Sequence, residues 1–378
     1  MPAVDAEVAV IGAGVVGSAT ALALARRGAS VVLLEAEREP GLGASGTNSG
    51  ILHTGFDSPP RELETELILR SATLRDPLLA ALDLPVLRCG ALLRPLEDGD
   101  RARVAAIADN AGTNGVAVTL REDGALEVPG EAVTDPVAYT LALVEAAVRL
   151  GAELRAPFTV AAIARSAGGL ELSDAAGTSL RARVAVNCAG LHADDVARLV
   201  GDDTFEIYPR KGEFLVFDPP AGDPLERILL PVPTKRTKGV LVFPTIDGKV
   251  VAGPTAVDQD DKGDWGVRPE ARDEIVPKAA RMWPPLEGAR QVAAYAGLRP
   301  AGRGVNYVIG PSAVCRELVN VAAIRSTGLT ASLGIAEHVC RTVEDLGVRL
   351  APERPLEAAA TPAAGGPWWR RTAEHRAA

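Results

Sequence analysis

The stretch AEVAVIGAGVVGSATALALARRGASVVLLE, residues 6–35, decides the fold. Residues 6–12 are a short β-branched apolar run ending at glycine, the pattern of a strand buried on both faces of a parallel sheet. Residues 15–27 are rich in alanine and leucine and stop at Gly28, which predicts a helix. Residues 29–35 predict a second buried strand, so the segment is a βαβ unit. Its first turn carries three glycines with distinct jobs. Gly12 permits the tight turn, Gly14 lets the backbone approach a pyrophosphate, and Gly17 lets helix and strand pack closely. The helix N-terminus behind them favours negative charge. Glu35 closes the second strand, where its carboxylate can accept hydrogen bonds from a ribose and would repel a 2′-phosphate. The fingerprint predicts a bound dinucleotide and does not choose between NAD and FAD.

Residues 8–25 are apolar for long enough to suggest a membrane span or a signal peptide. Asp5 and Glu7 stand where a signal peptide carries positive charge, and Gly12, Gly14 and Gly17 interrupt the run, so no transmembrane segment is expected. The 378 residues are 47% hydrophobic and 24% charged, ordinary for soluble globular proteins, and too many for one core, which predicts two lobes. The net charge of -9 argues against nucleic acid or an anionic membrane as main partner, while a pocket with a few local cations still suits a small anion. Cys89, Cys188, Cys315 and Cys340 are scattered without a C-x-x-C, which reads as reduced thiols in a cytoplasmic enzyme rather than a metal site or disulfide framework. Peripheral attachment to a membrane stays compatible with this.

Downstream, 61–82, 101–112, 136–150, 270–285 and 330–346 read as helices, with Asp135-Pro136 as cap and first turn of the third. Residues 158–188, 208–255 and 318–324 read as strands around glycine turns. The tail from about 351 to 378 carries little pattern, although Trp368 and Trp369 are candidates for docking.

The segment GASGTNSGILHTGF (43–56) resembles the flavin-facing loop of the D-amino-acid oxidase superfamily. Within that superfamily the likeness is to FAD-dependent glycerol-3-phosphate dehydrogenases and L-2-hydroxyglutarate oxidases or dehydrogenases. It continues through YPRKGEFLVF (208–217), LLPVPTKRTKGVLVFPTIDGKVVAGPTAVDQDD (229–261), YAGLRP (295–300) and IRSTGLTASLGIAEHV (324–339). The 229–261 block looks more like the glycerol-3-phosphate group. The resemblance implies an α/β fold: a discontinuous Rossmann-like FAD-binding domain (1–85, 135–205 and 296–350) and a mixed-sheet α+β substrate domain (86–134 and 206–295). Gly12, Gly14, Val15, Val16, Gly17, Glu35 and Ala36 fall on ADP-binding positions. Ser45, Thr47, Asn48 and Ser49 match the loop near pyrophosphate and flavin, Val160 the strand that meets adenine, and Ala189-Gly190 the turn after the returning strand. Arg325, Gly328, Leu329 and Thr330 match the late turn and helix start that cover the polar edge of the flavin. Two positions depart: Ala323 stands where many relatives carry glycine, and Thr327 where proline is common.

The same resemblance implies hydride transfer from a CH–OH carbon to flavin while a base takes the hydroxyl proton. His53, one of four histidines, suits the base by its near-neutral pKa. A loop histidine bonding flavin or backbone is its alternative. Arg299 matches the family arginine that grips a carboxylate or other substrate oxygens, as a planar bidentate donor can. Arg325 is placed to bind substrate or to stabilise reduced flavin; both arginines also lie against the cofactor. Of Arg210 and Lys211, on the strand forming the pocket roof, Lys211 is the inward candidate. Lys235, Arg236 and Lys238 read as a solvated loop rather than a phosphate site. Asp258, Asp260 and Asp261 read as an acidic loop without a metal ligand set. The expected reaction is oxidation of a small anionic alcohol such as glycerol 3-phosphate. The alternatives are an L-2-hydroxy acid, an amino acid or amine, and an electron-transfer flavoprotein subunit. The cysteine-rich C-terminal domain of some relatives has no counterpart in this sequence, which leaves the electron acceptor open among oxygen, a quinone and a carrier protein.

Overall fold

The first strand, Ala6–Ile11, runs parallel to Val31–Leu34 on one side and to Ser179–Asn187 on the other. Glu153–Arg155 and Leu318–Ala322 extend this parallel core at its two ends. The hairpin Ala162–Ser166/Gly169–Ser173 and the strand Val308–Pro311 add antiparallel margins. This sheet draws on the start, middle and end of the sequence, which makes it discontinuous. The computed structural model describes residues 4–234, 239–358 and 366–377, so the Lys235, Arg236 and Lys238 cluster lies outside the described residues.

The strand residues are near-continuous valine, leucine, isoleucine and alanine because both faces are covered. On one face the fingerprint helix Val15–Arg26 packs between helices Pro136–Arg149 and Gly328–Asp345, with Val8, Leu22, Leu33, Leu143 and Val339 in a single core. Each such side chain contributes about 1.5–3 kcal/mol when fully buried. Asp135 caps the second of these helices as its sequence predicts, with Oδ1 accepting from the amides of Val137 and Ala138, both at 2.8 Å.

The second sheet has nine strands and is mixed. Ala91–Arg94 runs parallel to Ile228–Pro231, whereas the other pairs are antiparallel. Its long central pair, Ile207–Asp218 and Arg290–Gly302, sets Arg210 opposite Arg299 and Gly212 opposite Gly297. Arg290–Gly302 belongs to this sheet along its whole length, so the expected domain limit at 295/296 falls inside a strand. The strand also touches the Gly41–Gly55 loop. A Cβ added at Gly297 would lie 2.8 Å from Thr47 Oγ1, so glycine there lets the two meet.

The tail, in which little pattern was expected, ends in the helix Trp368–Ala377 docked against the second sheet. Trp368 is 1% exposed and meets the Tyr295 ring edge-on at 5.5 Å. Its indole nitrogen has no partner among the described residues, so packing rather than polar contact holds it. Trp369 Nε1 donates to Asp247 Oδ2 at 3.0 Å, and the Thr372 hydroxyl donates to the Gly46 carbonyl. Two adjacent tryptophans thus do what periodicity does elsewhere. We expect Trp368→Ala to lose about 3–5 kcal/mol of stability, read as a lowered denaturation midpoint. Trp369→Phe, which gives up one hydrogen bond, loses about 1 kcal/mol.

Candidate active site

The Gly41–Gly55 loop leads through a two-residue strand, Ile51–Leu52, that pairs antiparallel with Ala132–Thr134. Ile51 lies opposite Val133 and Leu52 opposite Ala132. One step further along the ladder, His53 meets Glu131. Its Nδ1 lies 2.8 Å from Glu131 Oε2. The other carboxylate oxygen accepts from the Thr54 amide at 2.7 Å and the Thr54 hydroxyl at 2.9 Å. The Glu131 side chain is wholly buried and that of His53 nearly so. The backbone of His53 is braced as well: its N–H donates to Thr330 Oγ1 at 3.1 Å, and its carbonyl accepts from Arg75 Nη1 at 3.1 Å. Sequence reading missed Glu131. Its signal is faint, a lone acid in a Pro-Gly-Glu turn before an apolar strand, with its partner 78 positions away.

Arg299 enters from the second sheet. Nε donates to the carbonyl of Arg210 at 3.1 Å, and Nη2 donates to those of Lys211 at 3.2 Å and Thr255 at 2.8 Å. No carboxylate contacts this guanidinium among the described residues. Burial, with a smaller push from the Arg210 and Arg325 cations that the Asp258 carboxylate opposes, lowers its pKa to about 10, so it remains charged at neutral pH. The two other arginines nearby have acidic partners. Arg210 forms a two-point pair with Asp258 at 2.5 and 3.0 Å, and Arg325 lies 3.7 Å from Glu64.

His53, Arg299, Arg325, Thr47, Asn48 and Ser49 line one cavity of about 300 Å³. Arg210 lines it too, and Lys211 does not, which corrects the expectation. Neighbouring residues of a strand face opposite ways. Arg210 shares its side of the sheet with Arg299, while Lys211 turns inward to Asp264 Oδ2 at 2.6 Å and the Gly266 carbonyl at 3.1 Å. The acids of the neighbouring loop are taken up by cations, Asp258 by Arg210 and Asp260 by Arg303.

The remaining predicted positions gather at the fingerprint turn. Gly12 has φ +98°, and a Cβ there would lie 2.5 Å from the Cys188 carbonyl, beside Ala189. Gly190, with φ +58°, follows. A Cβ at Gly17 would lie 1.9 Å from the Gly12 carbonyl, an approach open to glycine alone. Gly14 caps the helix without a side-chain hydrogen bond, and beyond the Val15 amide the helix start at Val16 is a place where an anion is favoured. Ser45 Oγ accepts from Val15 N at 2.9 Å and bridges this turn to the loop. The Glu35 carboxylate accepts from the amides of Ala13 at 2.7 Å and Glu37 at 2.9 Å and brackets Ala36; burial raises its pKa. These groups fit a dinucleotide: a cradle without side chains, a helix start that a loop serine meets at its first amide, and a carboxylate with lone pairs to spare.

Val160 lies not in a strand but in the extended link before Ala162–Ser166, two residues after Phe158, whose amide bonds the Glu35 carbonyl. The helix Gly328–Asp345 also starts without a side-chain cap, and Leu329 and Thr330 are buried. The Thr330 hydroxyl is taken by the backbone of Ile51 and His53, so its side chain serves the loop.

The FAD dependent oxidoreductase family (DAO) matches residues 7–342. The chain belongs to this family. It is 28% identical over 360 residues to glycerol 3-phosphate dehydrogenase of Caloramator mitchellensis, covering 91% of this chain and 75% of that protein. It is 27% identical over 277 residues to the mitochondrial L-2-hydroxyglutarate dehydrogenase of Mus musculus, covering 65% of this chain and 60% of that one. The fold is shared with dithionite-reduced L-α-glycerophosphate oxidase of Mycoplasma pneumoniae with FAD bound. The TM-score is 0.87 at 24% identity, with 95% of this chain and 99% of that one covered. The FAD-binding fold and the broad oxidoreductase class follow. Among the described residues, no helix is long and apolar enough to cross a membrane. We expect Gly17→Ala to push the fingerprint helix off the first strand and to abolish the yellow flavin spectrum of the purified protein, with the second sheet still folded.

Proposed function

We propose that this chain oxidises the CH–OH group of a small anionic substrate of the glycerol 3-phosphate type. The observation that carries the reading is Arg299: a half-buried guanidinium on the cavity wall, held by backbone carbonyls, with no carboxylate in contact with it among the described residues. The acid that acts on it, Asp258, is bonded to Arg210, so an anionic substrate supplies the direct partner. The backbone carbonyls on Nε and Nη2 fix the plane of the fork, and Nη1 makes no hydrogen bond among the described residues. The similarity to a glycerol 3-phosphate dehydrogenase supports the choice of anion.

In this reading, the turn Gly12 to Gly17 and Glu35 hold the pyrophosphate and ribose of FAD, and Ser45, Thr47, Asn48 and Ser49 border its flavin. Bound flavin supplies the acceptor for the hydride that leaves the substrate carbon. The residues supply the rest. Arg299 binds the anionic end and so orients the carbon. His53 takes the hydroxyl proton at Nε2, the ring nitrogen turned from Glu131. Arg210, neutralised by Asp258, and Arg325, tempered by Glu64, border the site as weaker donors.

A second reading, an L-2-hydroxy acid, is favoured by the similarity to L-2-hydroxyglutarate dehydrogenase, and a carboxylate would satisfy Arg299 equally well. Anaerobic mixing with glycerol 3-phosphate, L-2-hydroxyglutarate and a panel of amino acids separates the readings. We expect the phosphorylated alcohol to bleach the flavin; a panel in which amines alone do so sinks the alcohol reading. Arg299→Lys keeps the charge and loses the fork, and kcat/KM for the anion falls about 10²-fold or more. His53→Ala lowers the reduction rate about 10²–10⁴-fold for an alcohol. An amine bound in its neutral form loses little.

A further inference from the structure

We propose that Glu131 is a positioning residue that locks His53 in the tautomer with the proton on Nδ1, leaving Nε2 as the acceptor. The proposal rests on reading His53 as the base and adds what makes it one. A free histidine divides its proton between two nitrogens, and only the form with an unprotonated Nε2 can receive a proton there. Which form persists is set by the bond the other nitrogen makes.

The surroundings of Glu131 leave one solution. The Thr54 amide is a fixed donor, and it points at Oε1 from 2.7 Å. The Thr54 hydroxyl joins it at 2.9 Å. Oε2 then faces His53 Nδ1 at 2.8 Å. An ionised carboxylate only accepts, so the third donor must be Nδ1–H. The ladder register that sets Leu52 against Ala132 fixes the two backbones, and Thr330 and Arg75 hold the His53 backbone from either side. With Nδ1 engaged and the ring on the cavity wall, Nε2 has no protein partner among the described residues and is open to a substrate hydroxyl. A proton taken there makes an imidazolium, and the adjacent buried carboxylate stabilises that charge where water does not reach.

The isosteric variant Glu131→Gln makes the logic testable. The Thr54 amide admits only the oxygen of the new side chain, so its NH₂ group faces Nδ1. Nδ1 must then accept, the proton moves to Nε2, and the base is lost without loss of shape. The experiment is ¹⁵N NMR of protein labelled at histidine, with His53 assigned by His53→Gln, together with anaerobic flavin reduction by glycerol 3-phosphate. We expect Nδ1–H in the wild type and Nε2–H in Glu131→Gln, with flavin content unchanged and reduction at least about 10²-fold slower. A wild type carrying Nε2–H, or a variant with unaltered tautomer and rate, overturns the proposal. A variant whose tautomer switches while reduction stays fast upholds the role of Glu131 and removes His53 as the base. If Glu131→Gln does not accumulate, the wild-type spectrum alone decides.

Discussion

A wholly buried carboxyl group, Glu131, and a half-buried guanidinium, Arg299, lie at one cavity, and much of the local architecture answers to the partners they need. Glu131 is surrounded by donors: an amide, a hydroxyl and an imidazole. Arg299 is surrounded by carbonyls, which hold its shape without cancelling its charge. Other buried charges have an ionic partner, as Lys211 has Asp264 and Glu213 has Arg268, or are spent on the backbone, as Arg75 is on the His53 carbonyl. A cation held within the fold is a structural solution, whereas one on a cavity wall without a direct acid can take a ligand. That contrast, more than the number of cations near the cavity, separates a binding group from supporting ones.

The parallel core was legible in the sequence because its signals are local: a glycine at each bend, a buried strand, an acid at the strand end, and Asp135 before proline. Glu131 was not, because its meaning depends on a register between segments 78 positions apart. The roof of the cavity shows a subtler failure. Arg210 and Lys211 are adjacent cations on one strand, and their order of importance turns on which face of the sheet lies inward. Nothing within the strand states that; the pairing of Arg210 with Arg299 does. The docking of Trp368 was equally out of reach, since two tryptophans in a plain tail carry no period to read.

The two departures from the family pattern prove to be of different kinds. Ala323 adopts φ +56°, the left-handed conformation that glycine takes freely and that costs an alanine about 1–2 kcal/mol. The backbone here holds a left-handed turn with a residue that strains in it. Thr327 has a role of its own. Its hydroxyl donates to Glu64 Oε1 at 2.7 Å and meets the Tyr307 hydroxyl at 2.8 Å, while Asn306 bonds both Glu64 and Arg325. A proline at 327 could not enter this network. The exchange therefore links the start of a helix to the posture of Arg325 over the cavity.

The final helix reaches from the second sheet to the loop beside Ser45, where Thr372 holds the Gly46 carbonyl. This contact joins segments 326 positions apart, so it cannot form until residue 372 has been made. The parallel sheet needs Leu318–Ala322 and is complete earlier. On a ribosome, then, the strands that carry the fingerprint turn are all made before the residue that fastens the loop beside them.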